Sequence, residues 1–139
     1  MYLLYNEYQN MGGTLNETLF NELEFEAETQ VDWYTFNRLE GETVYPVKLK
    51  RCMYALINII YTTQQASLLG DDGSGDSNIN AAVSSQSNDG VSISYNVLSA
   101  RDAVELSKDK IETTINQYLQ GVVNSLGRRL LYRGLYPGE

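Results

Sequence analysis

Leu49, Cys52, Met53, Leu56, Ile57 and Ile60 recur at i, i+3, i+4, i+7, i+8 and i+11, a spacing that an α-helix turns into one continuous apolar stripe. Pro46 precedes them, and its fixed φ and missing N–H suit the first position of a helix. The pattern therefore predicts a helix over about 46–68. Tyr54, Ile59 and Tyr61 lie off the stripe, so this helix is apolar on more than one side. Such a helix is either central in its own domain or shared with a neighbouring subunit. Everything else must pack around it, and 139 residues leave room for a single domain.

The flanking segments supply partners. Thr14-Leu15-Asn16-Glu17 reads as a capping box, with the Thr14 hydroxyl and the Glu17 carboxylate each closing an orphan amide. Leu15, Leu19, Phe20, Leu23, Ala27 and Val31 then follow helical spacing, predicting a helix over about 15–30. Before it, Tyr2, Leu3, Leu4, Tyr5 and Tyr8 suggest an anchored arm or short helix, ended by Gly12-Gly13. After it, Asp32 to Phe36 reads as a short irregular or second helical turn whose aromatics pack on the core, and Glu40-Gly41-Glu42 as a turn. Ser99 and Asp102 open a last helix over about 100–121 with the stripe Val104, Ile111, Ile115, Tyr118, Leu119 and Val122. Its wetter side carries Glu105, Lys108, Asp109 and Glu112, and Gly121 ends or bends it.

Between the second and last long helices the pattern changes. Residues 70–78 are rich in Gly, Asp and Ser and read as a loop. A calcium loop would need a closing carboxylate at its twelfth position, where counting from Asp71 or Asp72 gives Ala82 or Val83. Val91, Ile93 and Tyr95 alternate with serines after an Asn88-Asp89-Gly90 turn, predicting a β-hairpin of about 82–87 with 91–96. A lone hairpin is marginal in water and needs support from the bundle or from other chains. The expected architecture is mainly α: a small helical bundle with one β-hairpin and an extended C-terminal tail. Residues 1–127 form the bundle domain, with loop and hairpin at about 70–96, and 128–139 form the tail.

Charge is distributed unevenly. Residues 1–42 hold nine acids against Arg38 alone, whereas 43–139 hold nine acids and nine bases, so the net charge of −8 belongs to the N-terminal segment. Glu17, Glu22, Glu24, Glu26 and Glu28 fall largely off the apolar stripe and are expected on a solvated helix face, where acids in the first turns also suit the helix dipole. A chain this poor in basic clusters is a weak candidate for gripping nucleic acid. Its sole cysteine, Cys52, excludes an intrachain disulfide and falls on the core stripe. The chain contains no histidine, which removes Ser-His-Asp and Cys-His catalysis and imidazole metal ligation. It has no phosphate-cradling glycine motif, so neither enzyme chemistry nor a cofactor is expected. No apolar run reaches bilayer-spanning length, and no basic, apolar leader opens the sequence, so synthesis in the cytoplasm is expected.

The tail itself is unusual. Leu130-Leu131-Tyr132-Arg133-Gly134-Leu135-Tyr136 crowds apolar, aromatic and basic residues into a terminus, where chains are usually polar and frayed. Burial is the physical expectation, against its own domain or another protein. Gly127, which separates the tail from the last helix, and the three arginines Arg128, Arg129 and Arg133 favour a docking strap on another protein.

The order of these elements resembles the head–tail connector (adaptor, or head completion) proteins of long-tailed bacteriophages. The resemblance rests on Phe20, Leu23, Ala27, Val31, Asp32, Thr35 and Arg38, on Val47, Lys48, Cys52 and Ala55, on Ser85 to Tyr95, and on Leu130 to Gly134. The insert at 70–78 and Ala81-Ala82 depart from the family pattern. The resemblance implies a structural virion protein assembled in the host cytoplasm into a twelvefold ring at the neck. That ring lies between the portal and the stopper or tail proteins, and DNA passes through it without sequence-specific binding. It implies that the tail, with Arg128, Arg129, Leu130, Leu131, Tyr132, Arg133, Leu135 and Tyr136, docks on the portal. Asp89, Val91, Ile93 and Tyr95 would meet a neighbouring subunit or the next ring, and Glu22, Glu24, Glu26 and Glu28 are candidate channel-facing acids. The alternative is a small helical adaptor of bacterial or prophage origin that binds a protein partner; a third reading is a small enzyme using carboxylates such as Glu24 and Glu28.

Overall fold

The computed structural model describes residues 1–70 and 100–139. Among them the fold is mainly helical, with α1 (Tyr5–Asn10), α2 (Glu17–Thr35), α3 (Val47–Gly70) and α4 (Ala100–Leu119). The hairpin expected at about 82–87 with 91–96 lies outside the described residues, as does the loop before it.

α3 is the central element, packed against α4 and α2. All six residues of its stripe are buried, from Leu49 to Ile60. Tyr54, Ile59 and Tyr61 are partly buried against the same core, so the extra apolar surface of α3 is largely used within its own domain. Phe20, Leu23, Ala27 and Val31 of α2, and Ile111, Ile115 and Leu119 of α4, complete the interior. Cys52 sits in this core, where burial pushes its thiol up to about 12 and away from reactivity.

Three expectations need correction. The cap of α2 is Asn16, whose Oδ1 accepts the Leu19 N–H at 2.9 Å; Thr14 and Glu17 form no capping box. Asparagine is at least as good a cap as threonine, and the residue before it is fastened to α1, because the Tyr5 hydroxyl donates to the Leu15 carbonyl at 3.0 Å. Asp32 to Thr35 continues α2 rather than forming a separate turn. The aromatics there do not pack inward as a group: Trp33 is 78% and Phe36 52% exposed. In α4 the buried stripe begins at Ser107, whose hydroxyl turns back on the Val104 carbonyl at 2.7 Å, and Val104 itself is exposed.

The N-terminal arm is fastened by polar groups of α2 as well as by aromatic packing. Tyr8 packs in tilted contact with Phe20, ring centroids 4.9 Å apart, and with Tyr54 at 5.5 Å. The Tyr8 ring lies on Gly13, where any Cβ would collide with it. Lys50 of α3 pairs with Glu7 of α1, and Glu7 also accepts the Leu4 N–H at 3.0 Å.

Candidate interaction surfaces

α2 ends in two consecutive left-handed residues, Phe36 (φ 55°) and Asn37 (φ 56°). Neither is glycine, and such conformations cost energy that surrounding contacts must outweigh. They turn the chain so that the next residue, Arg38, points inward, and its side chain is only 3% exposed.

The guanidinium of Arg38 collects the C-terminal segment. Nη1 donates to the carbonyls of Arg129 and Leu130, each at 3.1 Å, and to that of Tyr132. Nη2 donates to the Gly134 carbonyl at 2.6 Å, and Nε pairs with the Glu139 carboxylate at 3.3 Å. The rings of Phe36, Tyr136 and Tyr132 stand 5.1, 4.9 and 5.8 Å from its central carbon. Only arginine offers a rigid planar fork of N–H donors and a face for aromatic contact together. A buried charge is tolerable here because carbonyls and a carboxylate surround it.

Further contacts lock the same segment. Asn124 donates to the Arg38 carbonyl at 3.2 Å, and its own Oδ1 accepts the Arg128 N–H at 3.0 Å. The Tyr136 hydroxyl accepts the Arg129 N–H at 3.0 Å, and Arg128 donates to the Pro137 carbonyl at 2.7 Å. A single antiparallel bridge joins Val123 to Arg129, with Gly127 (φ 73°) inside the turn.

The structure thus seats the tail on its own domain. Leu130 is fully buried in the core and Leu131 partly so, which leaves neither projecting as an anchor in this conformation. Tyr136 and Arg128 are half-buried, whereas Arg129, Tyr132, Arg133 and Leu135 face outward. Asp89, Val91, Ile93 and Tyr95 lie outside the described residues.

The four glutamates of α2 do not act as one face. Glu22 and Glu26 are exposed. Glu24 is buried, and its Oε1 accepts the N–H groups of Tyr2 at 2.8 Å and Leu3 at 3.3 Å; it cannot face a channel because it fastens the N-terminal arm. Burial holds its carboxyl above the usual carboxylate range. Glu28 pairs with the α-amino group of Met1 at 2.9 Å. Asp32 accepts a hydrogen bond from the Tyr2 hydroxyl, and burial likewise raises its pKa.

A groove of about 880 Å³ opens beside the end of α2, lined by Thr29, Asp32, Trp33, Tyr34, Phe36, Asn37 and Arg133. Arg133 of the tail and the aromatics at the end of α2 therefore meet at one place. Sequence reasoning named Arg38 but missed its role as the seat of the tail, and it missed Glu24 as a clasp and the exposure of Trp33 and Phe36. A signal for the first did exist: Arg38 is the one base among the first 42 residues. Among the described residues, no group of three or more metal-ligating side chains could hold an ion, and no helix is long and apolar enough to cross a membrane. No family model, curated protein or solved structure matches the chain.

Proposed function

We propose that this chain is a structural connector of a long-tailed bacteriophage virion, a ring-forming adaptor between the portal and the stopper or tail proteins, with no catalytic step of its own. In this reading the virion neck is its location and DNA passes through the ring. The observation that carries the reading is the seat of the C-terminal segment. One buried arginine and the Leu130 side chain hold the segment's base, while Arg129, Tyr132, Arg133 and Leu135 are presented outward. An aromatic and basic tip whose backbone is already hydrogen-bonded to Arg38 suits a docking element, since less backbone freedom remains to be lost on binding. Of the acids suggested for a channel wall, Glu22 and Glu26 keep the necessary exposure. A hairpin of about 82–87 with 91–96, as expected from the sequence pattern, would add strand contacts between neighbours.

The test is a pull-down of the portal protein of the same virus by the wild-type chain and by the Tyr132→Ala/Arg133→Ala double variant. Both positions are exposed, so helix content measured by circular dichroism should be unchanged while portal binding is lost. Undiminished binding by the double variant would overturn the docking role. Truncation at 127 is a poorer test, because it also strips Leu130 from the core.

The groove at Trp33 favours one second reading, a small helical adaptor that binds a protein partner without forming rings. The two readings separate on assembly state: the adaptor remains a monomer or dimer at every concentration.

A further inference from the structure

The outward face of α2 carries a pattern independent of its core stripe. Glu22, Phe25, Glu26, Thr29 and Trp33 fall at i, i+3, i+4, i+7 and i+11, which places them along one side of the helix. All five are exposed, Phe25 at 71% and Trp33 at 78%. At its C-terminal end the stripe runs into the groove, where Phe36 adds a third half-exposed ring. Single exposed apolar residues are ordinary, but aromatics aligned on one helix face and opening into a groove mark an interaction surface. The charge around them has one dominant sign. The only basic side chain in residues 1–42 is Arg38, buried beneath the tail, and the α-amino group of Met1 is paired with Glu28, so the unpaired exposed charge contributed by this segment is acidic.

We infer that this face of α2 is a docking surface for a cationic, amphipathic polypeptide segment of a protein partner. Apolar side chains of the partner would cover Phe25 and Trp33. Its lysines or arginines would pair with Glu22 and Glu26 and lie over the exposed indole, which is the best aromatic platform for a cation. The same acids repel nucleic acid and anionic lipid, so the complement is a basic peptide. Arg133 on the wall of the groove shows a cation already accommodated beside Trp33. The assignment turns the exposed glutamates toward a protein rather than toward DNA, and it does not depend on ring formation.

Trp33 is the sole tryptophan of the chain, so its fluorescence reports on the surface directly. The full-length chain is titrated with a tryptophan-free amphipathic helical peptide of leucine and lysine, with a leucine–glutamate peptide of the same length, and with zwitterionic phosphatidylcholine vesicles. The expected result is a saturable blue shift with the cationic peptide alone. The affinity should weaken at least tenfold between low and high salt, at least tenfold in Glu22→Lys/Glu26→Lys, and similarly in Phe25→Ser. Circular dichroism confirms that these exposed variants stay helical. No shift with the cationic peptide, equal shifts with both peptides, or a shift with vesicles would each overturn the assignment. Because the titration reads a single chain, its failure leaves portal docking by the tail standing, and failure of portal docking leaves this surface intact.

Discussion

Arg38 joins parts of the chain about a hundred residues apart, from the turn after α2 to Glu139. Hydrogen bonds to a charged group contribute about 1.5–3 kcal/mol each, though shared donors contribute less than their sum. Arg38→Ala should therefore destabilise the domain by about 3 kcal/mol and render 128–139 sensitive to limited proteolysis while α2 and α3 stay protected. Equal protection of the tail in the variant would show that Leu130 and the contacts of Asn124, Arg128 and Tyr136 hold it without Arg38. A second residue argues in the opposite direction. The Thr35 hydroxyl is buried without a hydrogen-bond partner, which costs free energy. Thr35→Val should thus raise stability by about 1 kcal/mol in urea unfolding. The third case is Glu24, whose carboxyl is held high by burial. The folded chain then binds this proton more tightly than the unfolded chain. The cost of ionisation is absent below the ordinary carboxylate pKa and grows as pH rises through the raised one. Glu7 behaves oppositely, because its hydrogen bond from Lys50 lowers its pKa and its contribution is lost as pH falls. Glu24→Gln keeps an oxygen acceptor for Tyr2 and Leu3 and removes the titration. Thermal unfolding from pH 4 to 7 should show the variant gaining on the wild type as pH rises; a constant difference would refute a raised pKa.

At the scale of elements, periodicity carried most of the information. The stripes of α2 and α3 were legible because an apolar residue every three or four positions has one physical use, burial on a helix face. Leu56 is fully buried at the centre of α3, and Leu56→Ala should cost about 2–5 kcal/mol, measured by chemical denaturation. A smaller loss would place this face outside the core. What periodicity could not give was the end of each stripe. Val104 has the right spacing yet lies exposed, since spacing does not say where a neighbouring helix stops covering it. Asn16 displaced the Thr14 cap for a related reason: several residues in that stretch can cap, and the contacts of Tyr5 and Tyr8 decide among them. The same limit applied to Trp33 and Phe36. Aromatic character suggested core, whereas their position on the outward side of α2 and in its left-handed end exposes them.

For the whole molecule, the location of charge mattered more than its sum. The acidic excess of the first 42 residues was plain in the sequence, but its division into a buried clasp at Glu24, an ion pair at Glu28 and an exposed pair at Glu22 and Glu26 needed the packing of the N-terminal arm. The tail was legible as a segment that must be covered. Where it is covered was not, because the choice depends on Arg38, which no local pattern connects to residues 129–139. Expected as a docking strap on another protein, the segment is seated on its own domain at its base and exposed at its tip, and the connector reading rests on that tip. Negative-stain imaging of the purified chain, alone and mixed with portal protein, tests the reading most directly. Ring-shaped particles that stack on the portal are expected. A chain that stays monomeric at every concentration and leaves the portal bare would contradict it.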